Sequence, residues 1–195
     1  HCLVRSFHAA VQAKYMAAVF PVDQQESIFI AALLYDVGEA AFWSSNVNQT
    51  QKLEEKYGLS MNNAADDQKD VLGTTFKSIG RGLISLWHLG PLLEESSNKP
   101  VSRQAKIVRA AVDLVHHHDR GWSEEYLSEM IPIVSMLTDK DAKQIKLDLS
   151  RNVINAATLA ENFGINGAKS LLSTKKSGSA QKLSKQKQLT ALVRI

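Results

Sequence analysis

The sequence has few of the residues that tie a small or secreted fold together. Its 195 residues include one cysteine, Cys2, and four prolines, and 7% of them are aromatic. A single cysteine excludes an internal disulfide framework. No uncharged apolar run reaches the roughly 18 residues that would span a bilayer, and His1 is not followed by the basic and apolar blocks of a secretory signal. We therefore expect a cytoplasmic protein that does not contact a membrane.

Acidic residues are absent from the end of the chain. The formal net charge is +3, and no Asp or Glu follows Glu161. A basic tail could contact an acidic partner, an acidic lipid surface or nucleic acid. Because this tail has no interleaved aromatic residues for base stacking, the sequence favours a solvated tail over a nucleic-acid site. Seven basic residues lie beyond Glu161: Lys169, Lys175, Lys176, Lys182, Lys185, Lys187 and Arg194.

Apolar residues recur at the three- and four-residue steps of amphipathic helices, and nothing alternates like a strand. We predict an all-α domain over residues 1–165, followed by a basic C-terminal tail over residues 166–195. The pattern predicts helices over 3–19 and 66–87, one that begins after the capping residue Ser102, and one that ends at Pro132. Three glycines in 66–87 (Gly73, Gly80 and Gly82) indicate a kink or a closely packed backbone.

The histidines do not form a metal motif in the sequence. Successive residues of a helix point about 100° apart, so His116, His117 and His118 cannot converge on one ion. We expect them to complement the helix dipole at a helix end. No phosphate-binding loop, dinucleotide glycine pattern or serine-hydrolase turn is present. The sequence therefore predicts no cofactor.

One segment resembles a known metal site. Residues 31–38 read AALLYDVG, an apolar helix that we expect to end at Gly38, and His8 lies on the preceding helix. This resembles the HD superfamily, in which a helix ends in Leu-Leu-His-Asp-(Ile/Val)-Gly and a histidine one helix earlier is a metal ligand. His8 matches that first ligand and Asp36 matches the aspartate, whereas Tyr35 stands in place of the histidine. A phenol with a pKa near 10 does not replace a neutral imidazole.

Further segments make the resemblance more specific. They are similar, in order and spacing, to the HDOD family (HD-related output domain), over about residues 5–140. The resemblance implies an HD-domain-like helical bundle. Its pieces are Gly73-Thr74-Thr75-Phe76, Ile79-Gly80, Leu83, Trp87, Leu89, Gly90-Pro91, Ile107-Val108-Arg109-Ala110-Ala111 and Gly121-Trp122-Ser123.

The chain departs from the HD ligand pattern at more than Tyr35. Ser96, Ser97 and Asn98 stand where HD hydrolases carry a histidine pair. Val112 stands where the last aspartate would lie, and Asp113 is one residue away. Only two matching ligands remain, and a hydrolytic metal needs at least three protein groups and an open water position. We therefore interpret His8, Tyr35 and Asp36 as vestigial positions with a structural role, such as a buried hydrogen-bonded pair of His8 and Asp36.

The resemblance implies a bacterial signal-transduction or regulatory domain that acts by binding other proteins, such as two-component or cyclic-dinucleotide enzymes. An alternative is a metal-dependent phosphohydrolase that acts on nucleotides or cyclic dinucleotides. HDOD proteins carry another helical half upstream of the His8 helix, so we expect that half to be missing from this chain. A second copy of the chain is one candidate to cover the face left open.

Overall fold

The chain folds into packed α-helices. The computed structural model describes residues 1–45, 47–59, 64–118 and 121–173. Within these ranges the structure has no strand, which confirms the predicted all-α class. A short 3₁₀ turn, Ala17–Val19, follows the first helix. The helices are α1 (Cys2–Met16), α2 (Val22–Leu33), α3 (Val37–Ser44), α4 (Asn48–Leu59), α5 (Ala64–Leu72), α6 (Phe76–Leu86), α7 (Pro91–Ser97), α8 (Arg103–His118), α9 (Glu124–Thr138), α10 (Ala142–Asn162) and α11 (Ala168–Ser173).

Helix α8 lies at the centre of the fold, where α1, α2, α7 and α9 pack around it. It begins as predicted, because the Ser102 hydroxyl accepts a hydrogen bond of 3.1 Å from the Ala105 amide. The buried residues of α8 are Ala105, Ile107, Val108, Ala110, Ala111, Val112, Leu114 and Val115.

The single helix predicted over residues 66–87 is two helices. Gly73, with a φ of 70°, follows the last residue of α5, and Phe76 begins α6. Left-handed backbone of this kind favours glycine and stops a helix. Gly80 provides the closely packed backbone that was the other expectation for these glycines, because its main chain packs directly against that of Gly38.

The sequence pattern predicted that Gly38 ends α2, and the structure shows that it does not. That helix ends at Leu33, and Gly38 is the buried second residue of α3. A side chain has no room there: a Cβ atom built on Gly38 would lie 2.3 Å from the Phe76 carbonyl oxygen and 2.4 Å from the Gly80 nitrogen. The glycine therefore serves the contact between α3 and α6 rather than a helix end.

Pro132 does not end a helix either, because α9 continues through it to Thr138. A proline inside a helix loses one backbone hydrogen bond. Buried apolar residues on both sides of it, Met130, Val134 and Leu137, hold α9 against the core.

The last described helix lies beyond the predicted boundary at residue 165. Ala168 and Leu172 of α11 are buried against α1 and α10. Residues 168–173 of the predicted tail therefore pack with the body. The rest of that tail, residues 174–195, lies outside the described residues.

In the described part of the chain, no single helix is long and apolar enough to span a membrane. Helices α2 and α3 pass that test only as a pair bent by 45°.

The contact between α3 and α6 generates a stability prediction. We expect Gly38→Ala to lower the free energy of unfolding by about 3 kcal/mol, because the added methyl group meets backbone atoms that cannot rotate away. Gly82→Ala on α6 is the matched control, since a Cβ there meets nothing within 4 Å. It should raise stability by up to about 1 kcal/mol through helix propensity. Urea unfolding of both variants measures the difference, and equal stabilities would contradict the close contact.

Candidate functional site

The three predicted positions lie at the junction of α1, α8 and the turn between α2 and α3. Tyr35 and Asp36 belong to that turn, residues 34–36, and Asp36 is the N-cap residue of α3. His8 lies in the middle of α1 and is fully buried. The structure therefore brings these residues into one region of the fold, but it gives each of them a different set of partners.

Two basic side chains hold the Asp36 carboxylate. His116, in the last turn of α8, donates from Nε2 to Asp36 Oδ2 over 2.8 Å. Arg5 of α1 donates from Nε to the same oxygen over 3.4 Å, and its Nη2 also binds Glu39. The Asp36 side chain is only 15% exposed. Together these contacts cross-link α1, α3 and α8.

Burial and the basic neighbours of Asp36 have opposite effects on the pKa of its carboxyl. Burial acts to raise this pKa, since it penalises the charged form. The hydrogen bond and charge of His116, followed by those of Arg5, outweigh burial and hold the pKa below its ordinary value. Asp36 is therefore an ionised carboxylate that is already bound by two basic side chains of the same chain.

Tyr35 belongs to a second network, which is centred on Arg109. Its hydroxyl accepts a 2.8 Å hydrogen bond from Arg109 Nη1 on α8. Arg109 Nε in turn donates to both carboxylate oxygens of Asp113, at 3.1 Å each. Burial raises the pKa of the Tyr35 phenol although Arg109 acts to lower it. Tyr35 thus stays a neutral phenol, which is a poor metal ligand.

His8 belongs to a third network, inside the core. Gln12, one turn along α1, donates from Nε2 to His8 Nε2 and to the Leu149 carbonyl, both over 3.0 Å. The side-chain oxygen of Gln12, Oε1, accepts a 3.1 Å hydrogen bond from Asn152 Nδ2. The network joins α1 to α10. A structural role for His8 and Asp36 was expected, but the partners of Asp36 are Arg5 and His116 rather than His8.

The three consecutive histidines diverge, as the helical angle predicted. His116 binds Asp36, and His117 stacks on Tyr126 with ring centroids 4.1 Å apart. His118 meets the His8 and Trp122 rings edge-on, at 5.0 Å and 4.9 Å.

The sequence interpretation missed His116 as a partner of Asp36. A usable signal was present, because Arg109, Val112, Asp113 and His116 recur at helical spacing and so share one face of α8.

These residues do not fit the divalent metal of HD hydrolases. Among the residues that the structure describes, no group of three or more His, Cys, Asp or Glu side chains could hold a metal ion. Val112, at the position of the missing aspartate, is buried. Ser96 and Ser97 are buried too, and their hydroxyls donate to the carbonyls of Leu92 and Glu94. Asp36 Oδ2 is already hydrogen-bonded to Arg5 and His116, so a metal at this oxygen would have to displace both.

A cavity of about 220 Å³ opens beside Asp36, between α6, α8 and the α2–α3 turn. We name it the α6–α8 cavity. Tyr35, Asp36, Val112 and His116 line one side of it, and residues of α6 line the other. Three of these residues, Tyr35, Asp36 and Val112, stand at positions of the HD ligand pattern.

Comparison with known proteins decides the family. The model of the HDOD domain matches residues 2–99, half of the chain. The chain belongs to the HDOD family. The match ends before α8, so the resemblance noted over residues 100–140 lies outside it. A comparison with curated proteins finds no match.

A solved structure shares the fold of this HDOD chain. It is described as a "Putative phosphohydrolase" from Shewanella amazonensis SB2B, with a TM-score of 0.55 and 17% sequence identity. The alignment covers 88% of this chain and 63% of the other protein, so the HDOD chain spans less than two thirds of that protein's length. At this identity the similarity shows the fold alone.

The Asp36 network predicts a specific dependence on pH. Because folding lowers the pKa of Asp36, its carboxylate stabilises the fold fully above the ordinary value near pH 4, and that contribution disappears as the pH falls through the lowered folded-state pKa. Asp36→Asn should therefore be less stable than wild type by about 1–3 kcal/mol at pH 7. The difference should shrink below about pH 4.

Chemical denaturation across this pH range makes the measurement. Asp23→Asn, at an exposed carboxylate in the first turn of α2, is the control and should stay within about 0.5 kcal/mol of wild type. A pH-independent deficit in Asp36→Asn would show that the carboxylate is not held in its charged form.

Proposed function

We propose that this chain is a non-catalytic regulatory domain of the HDOD type that acts in signal transduction through protein–protein interaction. The observation that carries the proposal is the double occupation of Asp36 by Arg5 and His116. A guanidinium and an imidazole take the place around the carboxylate that a divalent cation would need. A bacterial, cytoplasmic setting accompanies this role, as do signalling partners such as two-component or cyclic-dinucleotide enzymes.

An exposed apolar surface supports the interaction half of the proposal. Leu86 and Trp87 lie at the C-terminal end of α6, where their side chains are 72% and 55% exposed. Exposed apolar groups in adjacent positions are typical of protein interaction sites, and tryptophan is enriched among the residues that dominate binding energy. This surface could receive a signalling partner or a second copy of the chain.

The second candidate function is a metal-dependent phosphohydrolase that acts on nucleotides or cyclic dinucleotides. Two observations favour it: the structurally similar Shewanella protein is described as a phosphohydrolase, and His8 and Asp36 stand at their HD positions. It requires further metal ligands, because the described residues contain no cluster of three or more His, Cys, Asp or Glu side chains that could hold a metal ion. The two candidates differ in a measurable way, because only the second needs stoichiometric metal.

Metal analysis and a phosphodiesterase assay separate the two functions. We expect protein purified with added Mn²⁺ to hold far less than one metal ion per chain and to hydrolyse neither bis(p-nitrophenyl) phosphate nor a cyclic dinucleotide above the buffer blank. The physical reason is that two protein ligands do not hold a hydrolytic metal. One bound ion per chain, with turnover that Asp36→Asn abolishes, would establish the phosphohydrolase instead.

Partner capture tests the interaction surface. We expect a protein partner recovered from the source organism to bind Trp87→Ala about 30-fold more weakly than wild type, because truncating a central tryptophan costs about 2 kcal/mol or more. Met136→Ala on α9 is the control, since Met136 is also exposed, at 71%, but lies outside this surface. Titration calorimetry with the purified partner gives the two affinities. Equal affinities for wild type and Trp87→Ala would place the interface elsewhere.

A further inference from the structure

The α6–α8 cavity carries basic side chains that the Asp36 network does not use. Lys77 and Arg81 are one turn apart on α6, and both line the cavity. Arg109 of α8 lines it as well. Three cations from two helices thus face one cavity of about 220 Å³.

The structure compensates these charges unequally. Arg109 is paired with Asp113. Arg81 donates from Nε and Nη2 to the Ser97 carbonyl, at 3.1 Å and 3.0 Å, which orients the guanidinium without neutralising it. Within the described part of the chain, no carboxylate forms an ion pair with Lys77 or Arg81.

The acidic groups of the cavity are engaged elsewhere. Asp36 is bound by Arg5 and His116, and Glu39 is bound by Arg5. Asp113 is the remaining carboxylate of the lining, and Arg109 holds it. The uncompensated positive charge therefore lies on the α6 side, at Lys77 and Arg81.

The surroundings of Lys77 agree with that arrangement. Burial, followed by the charges of Arg109 and Arg81, lowers the pKa of its ammonium, against the opposing effect of Asp113. Cations that crowd each other in this way gain from a bound anion. Phe76, Ile84 and Val112 add apolar wall, which strengthens a charge interaction in the cavity.

We propose that the α6–α8 cavity binds a phosphate group, free or esterified to a small molecule, between Lys77, Arg81 and Arg109. Each guanidinium keeps N–H donors beyond those bound to Ser97, Tyr35 and Asp113, and Lys77 supplies a point charge. The volume is below the roughly 300–1,000 Å³ of sites for drug-sized ligands, so the site fits a small phosphate compound rather than a dinucleotide. This site needs no metal, and it would add ligand sensing to the interaction role.

Titration calorimetry on the full chain tests the proposal, in buffer that contains a metal chelator. The probes are inorganic phosphate, ribose 5-phosphate and ribose. We expect phosphate, ribose 5-phosphate or both to bind at millimolar concentrations or below, and ribose not to bind. Tighter binding of ribose 5-phosphate would identify an ester as the ligand, whereas equal affinities would identify the free anion.

Two variants that remove the same charge make the test specific. Lys77→Met removes an exposed ammonium of the cavity, and we expect it to weaken binding about tenfold or more, the range for a charged hydrogen bond. Lys143→Met removes an exposed ammonium on α10, outside the cavity, and should leave affinity within about twofold of wild type.

Three results would overturn the phosphate site: no binding of either phosphate probe, equal weakening in the two variants, or binding that appears only when divalent metal replaces the chelator. The last result would instead support the phosphohydrolase. The proposed interaction surface at Leu86 and Trp87 does not depend on any of these outcomes.

Discussion

The architecture around the candidate site depends on one partly buried carboxylate that is shared by two basic side chains. Asp36 stands at the start of α3, Arg5 comes from α1, and His116 comes from the end of α8. Removing a single partner would leave a desolvated charge, which is costlier than the intact cluster. The cluster therefore specifies how three helices meet, and it does so with groups that the chain supplies itself.

This arrangement links the degenerate HD pattern to the fold. Each of the positions that match the pattern takes part in a structural network. His8 joins α1 to α10 through Gln12, and Tyr35 is hydrogen-bonded to Arg109. A metal ion at Asp36 Oδ2 would have to displace Arg5 and His116 from that oxygen. The proposed regulatory role is argued from these two contacts.

Local sequence signals predicted the parts of the fold that depend on neighbouring residues. The amphipathic spacing indicated α1 and α8, and Ser102 capped the helix that was expected to follow it. What could not be predicted depends on distant residues. Gly73 and Gly80 look alike in the sequence, yet one stops a helix and the other contacts Gly38, 42 residues earlier.

The same limit applies to the site. The matching positions His8, Tyr35 and Asp36 were found from the pattern of the family, whereas His116 was assigned only to the helix dipole. Its partner lies 80 residues away. At Pro132 a local signal was misleading: proline predicted the end of a helix, but α9 continues through it, and buried residues on both sides pack against the core.

The contact between Gly38 and Gly80 has a consequence for how the cavity can vary. Two backbones touch there, so the separation of α3 and α6 is set by main-chain atoms that are identical in every amino acid. Side chains that face the cavity from α6 can therefore be exchanged without changing the spacing of α3 and α6. One wall of the cavity thus keeps its position while its chemistry is free to vary.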